Sequence, residues 1–339
     1  MKKILIIGAG FAGSVIARTL AEVGYKITIV EKRNHIGGNC YDYIDPSTAI
    51  RIHKYGPHLF HTNNKSVYNF LSHFTEWSYY RHKVKALLSN GDHVTLPANQ
   101  ETLARLGGRE EVINTLFRPY TKKMWNKELE ELDPTILQRV PIRDDDNECY
   151  FPNDEYQCMP KHGYTELFKK MLDHENIEVN LNFEFKAADL RDFYHVFNSM
   201  PIDQYYNFCY GELPYRSIKF HHAVVNMPRV LPTTTVNFTH SGPCTRVTEW
   251  KQIPNHGENP YQTILTTEEP CDYKDNNLER FYPVKDIDGK NKDIYLKYKK
   301  IENEKMTFIG RCGTYQYLDI HQVVSQSLAT ANNFIKDNI

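Results

Sequence analysis

The spacing of apolar residues predicts two strands and an intervening helix at the start of the chain. Residues 3–7 form a short apolar run, which is typical of a strand that is buried on both faces. Val15, Ile16 and Leu20 follow at helical spacing, and residues 25–30 form a second apolar run. Strand, helix and strand in this order indicate an α/β fold.

The end of the chain repeats the order of strand, turn and helix. Residues 306–309 predict a strand, and Gly310 and Gly313 predict a turn. An amphipathic helical pattern then runs from Ile320 to Ile335. We therefore expect the two ends of the chain to contribute to one domain.

The middle of the chain predicts a helical lobe and a β-rich lobe. Helical patterns dominate residues 100–127, with a break at Gly107 and Gly108. Residues 84–88 and 93–96 flank an Asn-Gly turn, which predicts a hairpin. Further helices are predicted over 67–74 and 164–172, a strand over 177–183, and strands of a largely antiparallel sheet over 217–220, 234–238, 246–250 and 262–266.

Composition and charge narrow the classes of protein. Apolar residues make up 40% and charged residues 24% of the 339 positions, which fits a folded globular chain. The net charge of −1 gives no overall attraction to nucleic acid or to an anionic membrane, so neither is an expected partner. The sequence has no apolar stretch of about 18 residues, and we expect no membrane span.

The cysteines point to a reducing compartment. There are seven, an odd number without a CxxC pair, which favours free thiols over disulfides or a zinc site. Two lysines and an apolar run open the chain, but glycines end the run before it reaches the roughly seven residues of a signal-peptide core. We expect a cytoplasmic protein without a bound metal.

The turn after the first strand carries a dinucleotide motif, with Gly8, Gly10 and Gly13 in the pattern GxGxxG. The first glycine permits the tight turn, the second lets the backbone approach a pyrophosphate, and the third lets the helix lie close to the strand. The helix N-terminus adds free N–H groups and a positive dipole end. Glu31 ends the second strand, where a carboxylate accepts hydrogen bonds from both ribose hydroxyls and repels a 2′-phosphate.

A second glycine pair, Gly37 and Gly38, favours FAD over NAD. It resembles the extended fingerprint of FAD-binding proteins of the glutathione-reductase-like and amine-oxidase-like type. The helix after the Gly310–Gly313 turn would direct its N-terminus at the flavin pyrimidine edge, where negative charge collects on reduction. The residues predicted from these motifs to bind FAD are Gly8, Gly10, Phe11, Ala12, Gly13, Glu31, Lys32, Gly38 and Asn39.

The patterns together predict the fold class and the domains. The expected fold class is α/β, with a Rossmann-like FAD-binding domain, a small helical lobe and an antiparallel-sheet substrate lobe. The expected ranges are 1–80, 186–212 and 295–339 for the discontinuous FAD-binding domain, 97–135 for the helical lobe, and 81–96, 136–185 and 213–294 for the sheet lobe.

Longer motifs narrow the family. In chain order they are HKYGPHLFHT at 53–62, YTKKMW at 120–125, LQRVPIR at 137–143, TRVTE at 245–249, FYPV at 281–284 and YQYLDIHQ at 315–322. This set spans nearly the whole chain. It resembles the bacterial-type UDP-galactopyranose mutases, which are flavin-dependent nucleotide-sugar mutases.

The resemblance implies an isomerase that interconverts the pyranose and furanose forms of a UDP-sugar, either UDP-galactose or a close analogue. In this family the flavin acts in the reduced form, FADH⁻. Its N5 forms an adduct with the sugar C1 and displaces the nucleoside diphosphate, and the sugar ring opens and recloses before the diphosphate returns. The resemblance further implies a role in surface polysaccharide biosynthesis, NAD(P)H as the external reductant, and a homodimer as an open alternative.

The resemblance also implies roles for single residues. Arg139 and Arg246 match two arginines that hold the diphosphate, for which bidentate arginine bonds are suited. Tyr120 and Trp125 match aromatic residues around the uridine, where stacking is worth about 1–3 kcal/mol per base. The remaining matches are Tyr150, Tyr282 and Tyr317 at the phosphates or the sugar, Glu268 and Asp319 at the sugar, and His58, Arg311 and Asp319 at the flavin.

The residues expected to act in catalysis are His58, Arg139, Arg246, Tyr282, Tyr317 and Asp319. Two departures from the family pattern leave details open. The stretch from Leu96 to Tyr120 is shorter than is usual, in a region that supplies dimer contacts in the family. The run Asp144–Asp146 replaces aromatic residues and would repel a diphosphate unless its side chains point to solvent.

Three alternatives stay open. The same chemistry could act on UDP-N-acetylgalactosamine, UDP-arabinose or a dTDP-6-deoxyhexose. An amine-oxidase-like FAD oxidoreductase would share the glycine motifs, but it has no need of Arg139, Arg246 and the tyrosines. A non-catalytic nucleotide-sugar binder would not need to retain His58, Tyr317 and Asp319 beside the flavin.

Overall fold

A five-stranded parallel sheet forms one layer of the protein. The computed structural model describes residues 2–132, 142–185, 190 and 192–338. In chain order the strands are arranged 3-2-1-4-5, and the order reverses beside the first strand, which is where ligands bind in open α/β sheets. Across the sheet the strands are Ile177–Asn180, Lys26–Val30, Lys3–Ile7, His195–Asn198 and Met306–Phe308.

Helices from both ends of the chain cover this sheet. Phe11–Glu22 follows the first strand and packs against the C-terminal helix Ile320–Asn338. Tyr164–Leu172 packs against the same first helix, with the rings of Phe11 and Phe168 centred 4.5 Å apart. The predicted α/β fold class with a Rossmann-like sheet is confirmed.

One part of the predicted sheet lobe lies elsewhere. We placed 136–185 in that lobe, but the strand Ile177–Asn180 pairs with Lys26–Val30 in the parallel sheet. The helix Tyr164–Leu172 accompanies it. The prediction is therefore wrong for residues 164–180. A short apolar run indicates a strand but not its partner, because pairing is set by the tertiary arrangement.

A seven-stranded, largely antiparallel sheet forms a second layer. Its strands lie in the order Tyr282–Pro283, Tyr215–Val225, Thr263–Asp272, Arg246–Glu249, Thr235–Phe238, Val84–Leu87 and His93–Leu96. Only Thr235–Phe238 and Val84–Leu87 pair in parallel within these described strands. The predicted hairpin is confirmed, with Val84 opposite Leu96.

Two small sheets connect the layers. Phe60–Thr62 and Trp77–Tyr79 flank Tyr156–Pro160, and Asp42–Ile44 pairs with Arg51–His53.

Short helices cover residues 100–125, and the predicted break at the glycine pair is confirmed. Gln100–Leu106 ends at Gly107 and Arg109–Val112 begins after Gly108. A π-helical turn over Ile113–Phe117 then leads into Arg118–Trp125. The remaining helices among the described residues are Lys65–Ser72, Ile202–Tyr205, Lys290–Lys300 and Gly310–Gly313, and 3₁₀ turns lie at Gly38–Cys40, Leu129–Glu131, Trp250–Gln252 and Tyr273–Asp275.

The described ranges contain neither a membrane-spanning helix nor a cluster of metal ligands. No helix there combines the length and the apolar content that crossing a membrane requires. Nor do three or more His, Cys, Asp or Glu side chains of these ranges converge as a metal site would need.

Asp42 ties a small sheet to the parallel-sheet layer. Its buried carboxylate accepts hydrogen bonds from the N–H groups of Tyr164 and Thr165, both at 2.8 Å. These N–H groups begin a helix and have no partner within it. The Arg51 guanidinium lies 3.4 Å from the same carboxylate and is itself largely buried.

We expect Asp42→Ala to lower the free energy of unfolding by about 3–5 kcal/mol, because it leaves the buried Arg51 charge without its partner. Denaturant titration followed by circular dichroism measures the change. Glu22→Ala is the control, since Glu22 forms an exposed pair with Arg18 that is worth about 0.5 kcal/mol or less. Equal losses in the two variants would contradict the role of Asp42.

Candidate active site

Two cavities meet between the two main sheets. The small cavity, of about 300 Å³, lies at the carboxyl ends of the parallel strands and is lined by Ile7 and Val30 there. The large cavity, of about 580 Å³, lies against the antiparallel sheet. His58, Arg311 and Ile320 line both cavities. A ligand in one cavity can therefore contact a ligand in the other.

The small cavity brings together the residues predicted to bind FAD. Asp319 is the exception, because it lines the large cavity instead. The predicted residues that line the small cavity are Gly8, Gly10, Phe11, Ala12, Gly13, Glu31, Lys32, Gly38, Asn39, His58 and Arg311.

Close backbone approach shapes this cavity. A Cβ atom on Gly38 would lie 2.9 Å from Gly10 Cα, and one on Gly13 would lie 2.0 Å from the Gly8 carbonyl oxygen. Any larger residue would push these segments apart. The approach leaves the N-terminus of the helix that begins at Phe11 facing the cavity, which fits a dinucleotide pyrophosphate.

Glu31 is held rigidly at the wall of the small cavity. One carboxylate oxygen accepts a hydrogen bond from the Ala9 N–H and the other from the Arg33 N–H, both at 2.9 Å. Each oxygen keeps a further lone pair that can accept from a ribose hydroxyl. The residues present therefore fit the adenosine end of FAD.

The C-terminal turn carries Arg311 to the junction of the cavities. The one-turn helix Gly310–Gly313 follows the last parallel strand, and the Arg311 guanidinium lies 5.3 Å from the centre of the Tyr317 ring. At the start of the next helix, the Asp319 N–H donates to Gln322 Oε1 at 2.8 Å. This bond ties down the segment that carries Tyr317 and Asp319 into the large cavity.

The large cavity gathers most residues predicted at the nucleotide sugar. The helix Arg118–Trp125, the antiparallel sheet and the segment after Gly313 supply most of them, whereas His58 and Tyr150 lie on loops. Arg139 lies outside the described residues, so its role stays a prediction. The residues that line the cavity are His58, Tyr120, Trp125, Tyr150, Arg246, Glu268, Tyr282, Tyr317 and Asp319.

Arg246 and Glu268 form an ion pair in the wall of this cavity. They lie opposite each other on antiparallel strands, with Arg246 Nε 2.8 Å from Glu268 Oε2. The Glu268 side chain is 1% exposed and that of Arg246 is 27% exposed, so the guanidinium retains a free face. Burial acts to lower the pKa of Arg246, but the Glu268 charge, the Tyr120 and Tyr282 hydroxyls and the hydrogen bond to Glu268 together outweigh burial and raise the pKa. Arg246 therefore stays protonated, and the part of its guanidinium that Glu268 does not contact can face an anionic ligand.

Aromatic rings adjoin this charge. Tyr282 and Tyr317 meet edge to face with ring centres 5.1 Å apart, and Trp125 lies 6.4 Å from Tyr282. Burial raises the pKa values of Tyr282 and Tyr120. Their hydroxyls stay protonated at neutral pH and can donate to phosphate or sugar oxygens.

His58 is a neutral imidazole at the junction. Its Nδ1 donates to the Gly56 carbonyl oxygen at 2.8 Å, because a carbonyl can only accept. Burial, followed by the Arg311 charge, lowers the pKa of His58 to about 4. At neutral pH the ring therefore carries its proton on Nδ1 and a lone pair on Nε2.

His82 and an apolar wall also line the large cavity, and no short motif predicted them. His82 is buried, and its Nδ1 lies 2.9 Å from the Tyr80 hydroxyl, which donates to Thr234 Oγ1 at 2.6 Å. Burial and the Arg246 charge lower the pKa of His82 to about 3. These residues come from separate elements, so sequence spacing carries no signal for them. The apolar wall consists of Leu116, Phe117, Ile218 and Phe220.

The acidic run Asp144–Asp146 lies outside both cavities. All three residues are exposed, and none lines either cavity. The adjacent Glu148 carboxylate lies 2.7 Å from Lys83 Nζ and 3.3 Å from Lys85 Nζ. The expected repulsion of a diphosphate therefore does not arise from these side chains.

Comparison with known families identifies the family of this chain. A family model described as UDP-galactopyranose mutase matches residues 115–317, which is more than half of the chain. The chain belongs to the UDP-galactopyranose mutase family. A second model, described as an NAD(P)-binding Rossmann-like domain, matches residues 6–74. The predicted family and the predicted enzyme class, an isomerase, are confirmed, and membership implies a flavin cofactor.

Curated relatives match along nearly their whole length. A probable UDP-galactopyranose mutase from Klebsiella pneumoniae is 34% identical over 371 residues, covering 98% of this chain and 95% of the relative. A UDP-galactopyranose mutase from Mycoplasma pneumoniae is 31% identical, covering 98% of this chain and 96% of the relative. A dTDP-fucopyranose mutase from Escherichia coli is 33% identical and covers 100% of both chains. Identity alone therefore does not select between the two nucleotide sugars.

Solved structures share the fold. The crystal structure of a reduced UDP-galactopyranose mutase has a TM-score of 0.78 at 17% identity, covering 99% of this chain and 96% of the other. A putative protoporphyrinogen oxidase from Exiguobacterium has a TM-score of 0.68 at 12% identity, covering 99% of each chain. The fold is thus common to mutases and oxidases, and the family rests on the sequence matches.

Proposed function

We propose that this mutase-family protein interconverts the pyranose and furanose forms of a nucleotide-linked sugar, with UDP-galactose as the first candidate. The observation that carries the proposal is the junction of the two cavities at His58 and Arg311. The residues of the small cavity fit the adenosine end of FAD, and the large cavity next to it presents the partly exposed Arg246 and several tyrosine hydroxyls. An oxidase acting on an apolar amine would have no use for that charge.

Arg246 would bind the diphosphate. Its Nε side is fixed by Glu268, so the remaining guanidinium edge is held toward the cavity without a loss of side-chain freedom on binding. The diphosphate must stay in the site after it leaves the sugar, since it returns to the same carbon. A rigid arginine suits that requirement, and Arg139 is the proposed second clamp.

Tyr120 and Trp125 would hold the nucleoside. Both lie on the helix Arg118–Trp125 and line the large cavity beside the apolar wall of Leu116 and Phe117. Flat aromatic groups next to aliphatic ones provide a surface on which a pyrimidine base can stack. Tyr150, Tyr282 and Tyr317 would then reach the phosphates and the sugar.

The small-cavity residues would hold the cofactor, and Arg311 would favour the anionic reduced form by its charge. When bound and reduced, FAD supplies a nucleophilic nitrogen, N5, for the sugar C1. The neutral His58 would shape the space between the cofactor and the sugar without adding a competing charge. Asp319, in the large cavity, would lie on the sugar side of this boundary.

The setting of the reaction is proposed from the family alone. NAD(P)H would act as the external reductant of the flavin. The protein would act in the cytoplasm, and its furanose product would be used in surface polysaccharide biosynthesis. A homodimer is the proposed assembly.

A dTDP-6-deoxyhexose is the second candidate substrate. The dTDP-fucopyranose mutase relative is 33% identical to this chain, against 34% for the Klebsiella pneumoniae relative. A 6-deoxy sugar exchanges a hydroxyl for a hydrogen, and the apolar wall of the large cavity would tolerate the loss.

A substrate panel on dithionite-reduced enzyme tests the proposal. The panel contains UDP-galactose, UDP-N-acetylgalactosamine, UDP-arabinose and dTDP-fucose, and chromatography separates furanose from pyranose forms. We expect conversion of UDP-galactose. A kcat/KM for dTDP-fucose at least about tenfold higher, equivalent to about 1.4 kcal/mol, would favour the second candidate. Failure to convert any of the four by flavin-loaded enzyme would refute the mutase proposal.

A further inference from the structure

His58 is the first of a row of three hydrogen-bonded histidines that leads from the cavities into the core. The His58 N–H donates to His53 Nδ1 at 3.2 Å, and His53 Nε2 lies 3.1 Å from His256 Nε2. His53 is fully buried and His256 is 2% exposed. Of the three, only His58 lines the cavities.

Carbonyl groups at both ends of the row order its protons. His58 Nδ1 donates to the Gly56 oxygen, and His256 Nδ1 donates to the Pro254 oxygen at 3.0 Å. His256 Nε2 therefore carries a lone pair, which accepts from His53 Nε2–H. His53 Nδ1 is then left as an acceptor, which is what the His58 N–H requires. One neutral tautomer of each ring satisfies every bond.

Packing holds the two buried rings in this arrangement. Trp250 stacks on His256 at an interplanar angle of 7°, and its ring centre lies 4.9 Å from that of His53. Tyr164 meets His53 edge to face at 5.6 Å. Burial lowers the pKa of His53, as do the neighbouring histidines and Arg51, and burial lowers the pKa of His256 to about 4. Both rings are therefore neutral, and their tautomers are set by the bonds above.

The far end of the row is anchored to the strand that carries its middle. The Arg51 N–H donates to the His256 carbonyl oxygen at 2.6 Å, and Arg51 and His53 belong to the same short strand, Arg51–His53. The loop that carries His256 therefore cannot shift without moving His53. The hydrogen bond from the His58 backbone N–H to His53 Nδ1 is therefore made to a rigidly held ring.

We propose that His53 and His256 are positioning residues that fix the backbone of His58 at the junction of the two cavities. Two apolar side chains in place of His53 and His256 would fill the same space. They would not bury four ring nitrogens that each need a hydrogen-bond partner. In this structure the ring nitrogens of His53 and His256 form the hydrogen bonds that hold the backbone N–H of His58. The His58 ring lines both cavities. The proposal deepens the proposed function and rests on its flavin site in the small cavity.

The test compares His53→Phe with His53→Asn. Phenylalanine keeps a ring but removes both nitrogens, whereas the asparagine Oδ1 takes a place near that of Nδ1 and can accept from the His58 N–H. We expect His53→Phe to lower kcat by about 10- to 100-fold with little change in KM, because displacement of a group at the reacting centre has effects of this size. We expect His53→Asn to recover most of the loss.

The bound flavin gives a readout that needs no turnover. We expect His53→Phe to change the visible circular dichroism and the midpoint potential of the bound flavin, and His53→Asn to restore both. His195→Phe is the matched control, since His195 is also buried but bonds to Thr307 on the parallel sheet, away from both cavities. It should lower stability without changing the flavin signals.

His256→Phe is the second variant if His53→Phe does not fold. It removes the acceptor for His53 Nε2–H, so we expect the same flavin change in a weaker form. Wild-type flavin signals in the foldable Phe variants, or equal damage in His53→Asn and His53→Phe, would overturn the proposal. If the wild-type enzyme converted no sugar, the proposed function would fail, while the flavin signals would still decide the role of His53.

Discussion

Arg246→Ala is expected to lower kcat/KM by about 100- to 1,000-fold while the flavin content stays unchanged. The substitution removes the guanidinium edge that we propose binds the diphosphate. It also leaves the Glu268 carboxylate, which is 1% exposed, without its partner in the wall of the large cavity. Truncating one member of a buried charge pair costs about 2–5 kcal/mol, and each 1.4 kcal/mol is a factor of ten.

Steady-state kinetics of the reduced enzyme and the absorbance of bound flavin measure the two quantities. Arg246→Lys should fall between wild type and Arg246→Ala, because lysine keeps the charge but not the planar fork. Arg105→Ala should be close to wild type, since Arg105 is an exposed residue that pairs with Asp92 and Glu101. A near-normal kcat/KM in Arg246→Ala would remove the diphosphate assignment.

A double variant separates the loss of kcat/KM that is due to the missing guanidinium from the loss that is due to the unpaired Glu268 carboxylate. If the uncompensated Glu268 carboxylate contributes to the loss, Arg246→Ala combined with Glu268→Ala should recover about tenfold of kcat/KM, since a buried unpaired charge costs more than the pair is worth. Strict additivity of the two losses would show that the carboxylate acts on the substrate independently of Arg246.

Turnover is expected from the reduced protein only, with no detectable conversion by the oxidised form. The proposed reaction needs an electron pair on flavin N5, and the oxidised ring does not offer it. Among the described residues that line the large cavity, the Tyr120 and Tyr282 hydroxyls are protonated at neutral pH and are therefore weak nucleophiles.

Anaerobic assays on dithionite-treated and air-oxidised protein make the comparison, with chromatography of the nucleotide sugars as the readout. Readmission of air should stop the reaction, and a second reduction should restore it, which excludes inactivation as the cause of the loss. Equal rates in the two redox states would rule out a flavin nucleophile and return attention to the side chains.

Local signals in the sequence predicted many of the residues that line the small cavity. The glycines at 8, 10 and 13 and the carboxylate at 31 lie within one strand–turn–helix–strand unit, so their spacing alone predicts their geometry. The same holds for the hairpin around the Asn-Gly turn and for the helix break at Gly107. In each case, the residues that decide the structure are neighbours in the chain.

The residues predicted at the nucleotide sugar were inferred from the family resemblance. Their contacts are visible only in the structure. The register that sets Arg246 against Glu268 is a property of two paired strands, which residue types do not reveal. For the same reason, the strand Ile177–Asn180 was placed in the wrong sheet. The outward orientation of Asp144–Asp146 also depends on the fold.

The sequence by itself determined the α/β class, the dinucleotide turn and the family, because these depend on short-range periodicity and on residue identity. Only the tertiary structure decided how His82 enters the large cavity and how His53 meets His256, which lies 203 positions away. Such contacts arise when strand pairing and core packing bring distant segments together. No pattern along the chain records them.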